Sequence, residues 1–93
     1  MIRSFADKET EKVFHQERSR KLPGDIQDRA LVKLLLLDSA MSEDDLRAPP
    51  SNRLEHLKGK LKGLSSIRIN DQWRIQFRFE NGDAHDVAIV DYH

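Results

Sequence analysis

The dipeptide Asn81-Gly82 constrains the fold of this chain more than any other feature. It separates two segments typical of β-strands, and Asn-Gly between such segments favours a two-residue type I′ turn. Residues 73–79 alternate apolar and polar side chains, whereas residues 86–90 are apolar on both faces. The pattern predicts an antiparallel hairpin whose second strand lies inside the sheet.

The geometry of a two-residue turn also predicts which residues of the hairpin are paired. Counting outward from the turn places Glu80 opposite Asp83, and then Arg78 opposite His85, Gln76 opposite Val87, Arg74 opposite Ile89 and Trp73 opposite Val90. Because side chains alternate along a strand, one face collects an apolar set that must cover helices, namely Trp73, Ile75, Phe77 and Phe79 with Ala88 and Val90. The open face is then expected to carry Arg74, Gln76 and Arg78 with His85 and Asp91.

A second hairpin precedes this one, and the predicted strand 66–69 leads into it. A three-residue turn over 70–72 keeps Ile67 opposite Ile75, whereas a two-residue turn would expose the apolar set. The three-residue turn also places Arg68 directly opposite Arg74. Like charges at opposite positions destabilise a sheet. Either both side chains diverge into solvent, or a bound anion such as phosphate offsets the repulsion.

The N-terminal half is predicted to be mainly helical. Residues 2–5 are typical of a short strand, and residues 8–19 predict a helix with a thin apolar stripe. A second helix is predicted over 26–40, because apolar residues recur at helical spacing at Ile26, Ala30, Leu34, Leu37 and Met41. A capped single turn over 42–45 and a loop with short turns over 48–63 complete an α+β chain.

Composition excludes several classes of protein. The 93 residues contain no cysteine, so neither a disulfide framework nor a thiolate metal site is available. The longest apolar run, residues 34–37, is far shorter than the roughly 20 residues of a membrane-spanning helix. The N-terminal segment lacks the apolar region of a signal peptide. We therefore expect one domain over residues 1–93 in the cytoplasm, with no membrane association.

The net charge of zero hides an uneven distribution of charge. Residues 47–78 carry eight basic and two acidic side chains, whereas residues 79–93 carry four acidic side chains and no lysine or arginine. A segment of charge +6 in a neutral chain indicates either a surface for anions or an ordinary solvated face.

Four segments carry a resemblance to a known family. They are the opening residues 1–5, the segment 52–59 (NRLEHLKG), the block 66–75 (SIRINDQWRI) and the end 90–93 (VDYH). Together they resemble HigB-type toxins of the RelE/ParE superfamily, from the first residue to the last. The resemblance implies a RelE-like fold, in which an N-terminal strand joins a C-terminal three-stranded meander in one antiparallel sheet and two N-terminal helices pack on one face.

The resemblance also implies an activity and its partners. It implies a ribosome-dependent endoribonuclease that cuts mRNA in the ribosomal A site. The expected partner is a helix-turn-helix antitoxin of HigA type, through which alone operator DNA would be bound. A ParE-like gyrase poison without catalysis is the alternative, and a plain single-strand RNA-binding module is a third option.

Candidate catalytic residues come from the same resemblance, position by position. The matching residues are Arg74 for the scissile phosphate, the terminal pair Tyr92 and His93, Asp91 before them, and Lys58 of the predicted loop over residues 48–63, which we call the basic loop. His56 departs from the pattern, because family members with a loop histidine have it one position earlier, where Glu55 stands here. Either the loop shifts to restore the imidazole or the chain functions without it.

The chemistry of RNA cleavage agrees with this set of residues. Attack by a 2′-hydroxyl needs a base, a cation for the phosphorane and an acid for the leaving 5′-oxygen, and it needs no metal. Histidine suits the proton transfers, which makes His93 and His56 candidates, and Tyr92 could stack on a base or donate its hydroxyl. No cofactor or metal motif is present in the sequence. The remaining basic side chains of residues 47–78 that we predict to bind RNA are Arg53, Lys60, Lys62, Arg68 and Arg78.

Overall fold

The computed structural model describes residues 1–92, and His93 lies outside the described residues. Two α-helices precede an antiparallel sheet whose strands follow one another in chain order, which confirms the α+β fold class. The elements are α1 (Lys8–Phe14), α2 (Gly24–Ser39), β1 (Glu55–His56), β2 (Ser65–Arg68), β3 (Trp73–Glu80) and β4 (Asp83–Asp91). Short 3₁₀ helices lie at Glu43–Arg47, Pro50–Asn52 and Gly59–Leu61. Within residues 1–92 no helix is long and apolar enough to cross a membrane.

The helices supply one side of the core. On α2, Ile26, Ala30, Leu34 and Leu37 are buried as predicted. Met41 was wrongly predicted to continue this stripe, because the helix ends at Ser39 and the Met41 side chain is 83% exposed. The first helix is also shorter than predicted and ends at Phe14, since Gln16 adopts a left-handed φ of 64° that a helix cannot accommodate.

The predicted N-terminal strand is a looser element than expected. Ile2 and Phe5 each form an isolated parallel bridge with β4, at Ala84 and Val87. Asp83 holds the start of this segment, because its carboxylate lies 3.4 Å from the Met1 amino group and 3.1 Å from Nε of Arg3. The fourth strand of the sheet is instead β1, which falls in the segment predicted to be a loop.

The type I′ turn is confirmed, since Asn81 and Gly82 have φ values of 51° and 80°. The pairing of Arg78 with His85 is also as predicted. Beyond it, a β-bulge at Asp86, with φ 54°, shifts the register by one residue. The observed pairs are Gln76 with Ala88, Arg74 with Val90 and Trp73 with Asp91.

This shift changes which side chains of β4 face the helices. Val87 and Ile89 belong to the core cluster, whereas Ala88 and Val90 were predicted to do so. The second hairpin is as predicted, with Ile67 opposite Ile75 and Arg68 opposite Arg74. The core on the helix-facing side of the sheet includes fully buried side chains of both layers, among them Leu34, Leu37, Ile67, Ile75 and Phe77.

Candidate active site

Arg74 is the most enclosed basic side chain of the sheet, with only 4% of the residue exposed. Its Nε donates a hydrogen bond to Oγ of Ser66 at 2.8 Å. Its Nη2 donates to the carbonyl oxygens of Arg53 and Ser66, at 2.5 and 3.2 Å. The prediction that Arg74 lies on an open face is therefore wrong, because the segment around β1 covers the outer side of β3.

The electrostatic environment of Arg74 has opposing contributions. Burial lowers the pKa of the Arg74 guanidinium, and the positive charges of Arg68 and Arg53 act in the same direction. Glu55 and Tyr92 act in the opposite direction and favour the charged form. The guanidinium is thus held by an acidic residue and an aromatic ring at one end and by backbone carbonyls at the other.

Glu55 and Tyr92 meet above this guanidinium. Oε1 of Glu55 lies 3.6 Å from Nη1 of Arg74, and the Tyr92 hydroxyl donates to Oε2 of Glu55 at 3.2 Å. The Arg74 guanidinium carbon lies 5.2 Å from the centroid of the Tyr92 ring, which is within cation–π range. The backbone of Tyr92 is fixed by a 2.7 Å hydrogen bond from its N–H to the carbonyl of Gln72.

We call these three residues the Arg74–Glu55–Tyr92 cluster, and two of them, Arg74 and Tyr92, line a cavity of about 190 Å³. Its lining includes Arg74 and Tyr92 together with the polar side chains Ser66 and Gln76. Leu57 and Leu61 of the basic loop form an apolar wall. Tyr92 is half exposed and Arg74 is buried, so the cavity offers a ring to solvent and a cation below it.

Asp91 lies beside this cluster, at the end of β4. It also lines the cavity, and its Oδ2 accepts a 3.0 Å hydrogen bond from Nε2 of Gln72. The chain end at Tyr92 is therefore held by two contacts with the turn before β3. His93, the remaining member of the predicted catalytic set here, lies outside the described residues.

His56 occupies the opposite face of the sheet. Glu55 pairs with Ser66 and His56 with Ser65, and successive side chains of a strand point to opposite faces. Nδ1 of His56 lies 3.1 Å from Oγ of Ser65 and 3.5 Å from Oε2 of Glu43. The structure therefore does not bring His56 together with Arg74.

His56 lines a second cavity, of about 420 Å³. Lys58 and Lys62 line it together with His56 and Glu43. The predicted catalytic and RNA-binding residues are thus divided between two neighbouring cavities, and Leu57 lines both of them.

The other predicted RNA-binding residues are dispersed. Arg53 is exposed and contributes its carbonyl to Arg74, and Lys60 is exposed in the loop. Arg68 pairs with Asp71 and lines a third cavity beside Arg29 and Lys33 of α2. Arg78 is paired with Glu80 and with Asp86, so it lies away from the cluster at the Asn81-Gly82 end of β3.

Glu55 is the one residue of the cluster that we did not predict from the sequence. A signal for it was present, because the sequence resemblance implied a loop histidine at the position where this chain has Glu55. The segment was predicted to be a loop, and in a loop the neighbours Glu55 and His56 are not assigned to opposite faces. The two-residue strand β1 makes that assignment.

A small α+β domain with an arginine beneath a C-terminal tyrosine fits the class of RelE-like toxins. A family model described as "RelE-like toxin of type II toxin-antitoxin system HigB" matches residues 3–93. The chain therefore belongs to the HigB-like toxin family, as the sequence resemblance indicated.

Two curated relatives agree with this assignment. The chain is 45% identical over 85 residues to Toxin HigB-1 of Vibrio cholerae serotype O1, an alignment that covers 90% of each chain. It is 34% identical over 93 residues to Endoribonuclease HigB of Proteus vulgaris, with 100% of each chain covered. Membership of a type II toxin–antitoxin family implies an antitoxin as partner.

Proposed function

We propose that this chain is a HigB-type endoribonuclease that cuts mRNA in the ribosomal A site. The observation that supports this most strongly is its similarity, over the full length of both chains, to a toxin named as an endoribonuclease. The same similarity favours a nuclease over a ParE-like gyrase poison. The cavity beside the Arg74–Glu55–Tyr92 cluster supplies a location for the chemistry.

The residues of this cavity suit cleavage by the neighbouring 2′-hydroxyl. Arg74 is fixed by three hydrogen bonds through Nε and Nη2, which leaves Nη1 directed at Glu55 as the atom best placed to approach a phosphate. A fixed cation stabilises the developing charge of a phosphorane without reorganising during the reaction. The exposed ring of Tyr92 can stack on a nucleobase.

The proton transfers are proposed for the residues near the chain end and the basic loop. Tyr92 is the candidate beside Arg74, with Asp91 next to it, and we propose His93, which follows them in the sequence, as a further candidate. Lys58 of the loop stays a candidate, although it lines the cavity of His56 and not that of Arg74. His56 faces a different cavity, which weakens its claim to a catalytic role. Lys62 lines the cavity of His56, and Arg53 and Lys60 are exposed. We propose that these three basic residues contact RNA or the ribosome.

The proposed setting follows from the same function. We propose a single toxin domain over residues 1–93 that acts in the cytoplasm. Its antitoxin would be a helix-turn-helix protein of HigA type, and operator DNA would be bound only through that antitoxin.

The proposed chemistry is tested with ribosomes that hold a defined mRNA. Purified protein should cut the mRNA in the A site and leave a 2′,3′-cyclic phosphate and a 5′-hydroxyl. A single 2′-deoxy substitution at the nucleotide before the cut should abolish cleavage, since the attacking group is then missing. Unchanged cleavage of the 2′-deoxy substrate would overturn the mechanism, and gyrase inhibition without cleavage would favour the ParE-like alternative.

A further inference from the structure

We propose that the carboxylate of Glu55 is the general base of the cleavage reaction and takes the proton of the attacking 2′-hydroxyl. This inference rests on the proposed endoribonuclease function, and it adds a catalytic residue to that site. It leaves the adjacent His56 outside the chemistry.

The pairing of β1 with β2 is the first observation behind this assignment. Glu55 lies opposite Ser66 and His56 lies opposite Ser65, so the backbone register is fixed at both residues. A shift that brought the imidazole to the cluster would exchange the faces of both side chains and break this register. His56 is also held on its own face by Ser65 and Glu43.

The position of the carboxylate is the second observation. One oxygen of Glu55 lies 3.6 Å from the Nη1 of Arg74, and the other accepts the hydroxyl of Tyr92 at 3.2 Å. A phosphate that approaches Nη1 therefore arrives next to the carboxylate. The side chain of Glu55 is 44% exposed, so a nucleotide can reach it without opening the core.

The chemical step balances with Glu55 in this role. The 2′-oxygen forms a bond to phosphorus while its proton passes to the Glu55 carboxylate. The bond from phosphorus to the 5′-oxygen breaks, and an acid of the chain gives that oxygen a proton. The products are a 2′,3′-cyclic phosphate and a 5′-hydroxyl, and no oxidant, reductant or metal takes part in the transfer.

A merely structural role for Glu55 makes a different prediction. If the carboxylate only positioned Arg74, its loss would act through Arg74, and Glu55→Gln would add little to the loss of cleavage rate already caused by Arg74→Lys. As a general base, it acts on the attack of the 2′-hydroxyl and not on the departure of the 5′-oxygen. A substrate in which sulfur replaces the bridging 5′-oxygen separates these steps, because a thiolate leaves without a proton from an acid.

The test compares single-turnover cleavage by wild type, Glu55→Gln and Glu17→Gln, with the mRNA bound in the A site of the ribosome. Glu17 is an exposed glutamate after α1, and its substitution changes the net charge of the protein by the same amount. Glu55→Gln should cleave roughly 10²–10⁴-fold more slowly at saturating enzyme, the usual loss for one acid–base group. Glu17→Gln should cleave at the wild-type rate, and all three proteins should bind antitoxin equally.

Two further comparisons decide the role of Glu55. The 5′-sulfur substrate should not restore cleavage by Glu55→Gln, because the 2′-hydroxyl still lacks its base. Restored cleavage would overturn the assignment. So would a Glu55→Gln variant that cleaves at the wild-type rate at saturating enzyme and more slowly only at low enzyme concentration. So would a wild-type rate in Glu55→Gln, or a loss of the same size that appears in His56→Gln instead. If wild type itself fails to cleave, the proposed function fails and the inference falls with it.

Discussion

Replacement of Arg74 by alanine tests the placement of this side chain beneath Glu55 and Tyr92. The substitution removes three hydrogen bonds, to Oγ of Ser66 and to the carbonyls of Ser66 and Arg53. It also removes the cation that faces Glu55 and the ring of Tyr92. The residue is only 4% exposed, so its partners lose a hydrogen-bond donor inside the protein.

The size of the effect follows from these contacts. A hydrogen bond to a charged group contributes about 1.5–3 kcal/mol, and contributions that share one side chain do not add fully. The half-exposed ion pair with Glu55 adds little, since solvent screens it. We expect Arg74→Ala to lower the free energy of unfolding by about 3–5 kcal/mol, comparable to breaking a buried polar pair.

Urea unfolding, followed by circular dichroism, measures this change. Arg78→Ala is the matched control, because Arg78 lies on the same strand and its pairs with Glu80 and Asp86 are partly exposed. It should cost at most about 1 kcal/mol. Arg74→Lys keeps the charge but not the planar fork, and it should lose about 2 kcal/mol and remain folded. An unfolding free energy for Arg74→Ala within about 0.5 kcal/mol of wild type would place the side chain in solvent and refute the enclosed site.

Three further predictions concern other parts of the chain. Trp73→Ala should lower the free energy of unfolding, measured in urea, by about 3 kcal/mol, because Trp73 is partly buried and packs against the core. A change under about 1 kcal/mol would show that Trp73 does not pack there. Arg3, with the amino terminus, lowers the pKa of the Asp83 carboxyl. The stability this provides is complete above the unfolded-state pKa of about 4 and is lost as the pH falls through the lower folded-state pKa. The unfolding free energy of Asp83→Asn should therefore fall less steeply with decreasing pH than that of wild type. An unchanged slope would show that the ion pairs of Asp83 with Arg3 and the amino terminus are absent in solution. His93→Gln should slow mRNA cleavage by roughly 10²–10⁴-fold while antitoxin binding is kept, and a wild-type rate would remove His93 from the proton transfers.

Local chemistry was enough to predict much of the sheet. The Asn81-Gly82 turn and the three-residue turn over 70–72 both depend on short-range geometry, and the pairs next to them are as predicted. The register fails only beyond Asp86. There the N–H of Asp86 donates to Oγ of Ser4 at 2.9 Å, a partner 82 residues away. A bulge stabilised by so distant a residue leaves no mark in the local sequence pattern.

The site was harder to predict for a related reason. The alternation of residues 73–79 correctly places Arg74 on the face away from the helices, but it cannot show what covers that face. The cover comes from the side chain of Glu55 on the two-residue strand β1, from the segment that flanks β1, and from Tyr92. Strands this short carry too few residues for periodicity to detect them. The resemblance to a known family identified Arg74 and Tyr92, and the register of β1 distinguishes Glu55 from His56.

The central claim is that this chain cuts mRNA on the ribosome through the cavity beside Arg74. The most direct measurement maps the ends of a defined mRNA after incubation of wild type with programmed ribosomes. The account predicts new ends in the A site with a 2′,3′-cyclic phosphate on the upstream fragment, and none when the preceding nucleotide lacks its 2′-hydroxyl. An mRNA that stays intact, or upstream fragments that end in a 3′-hydroxyl, would contradict it.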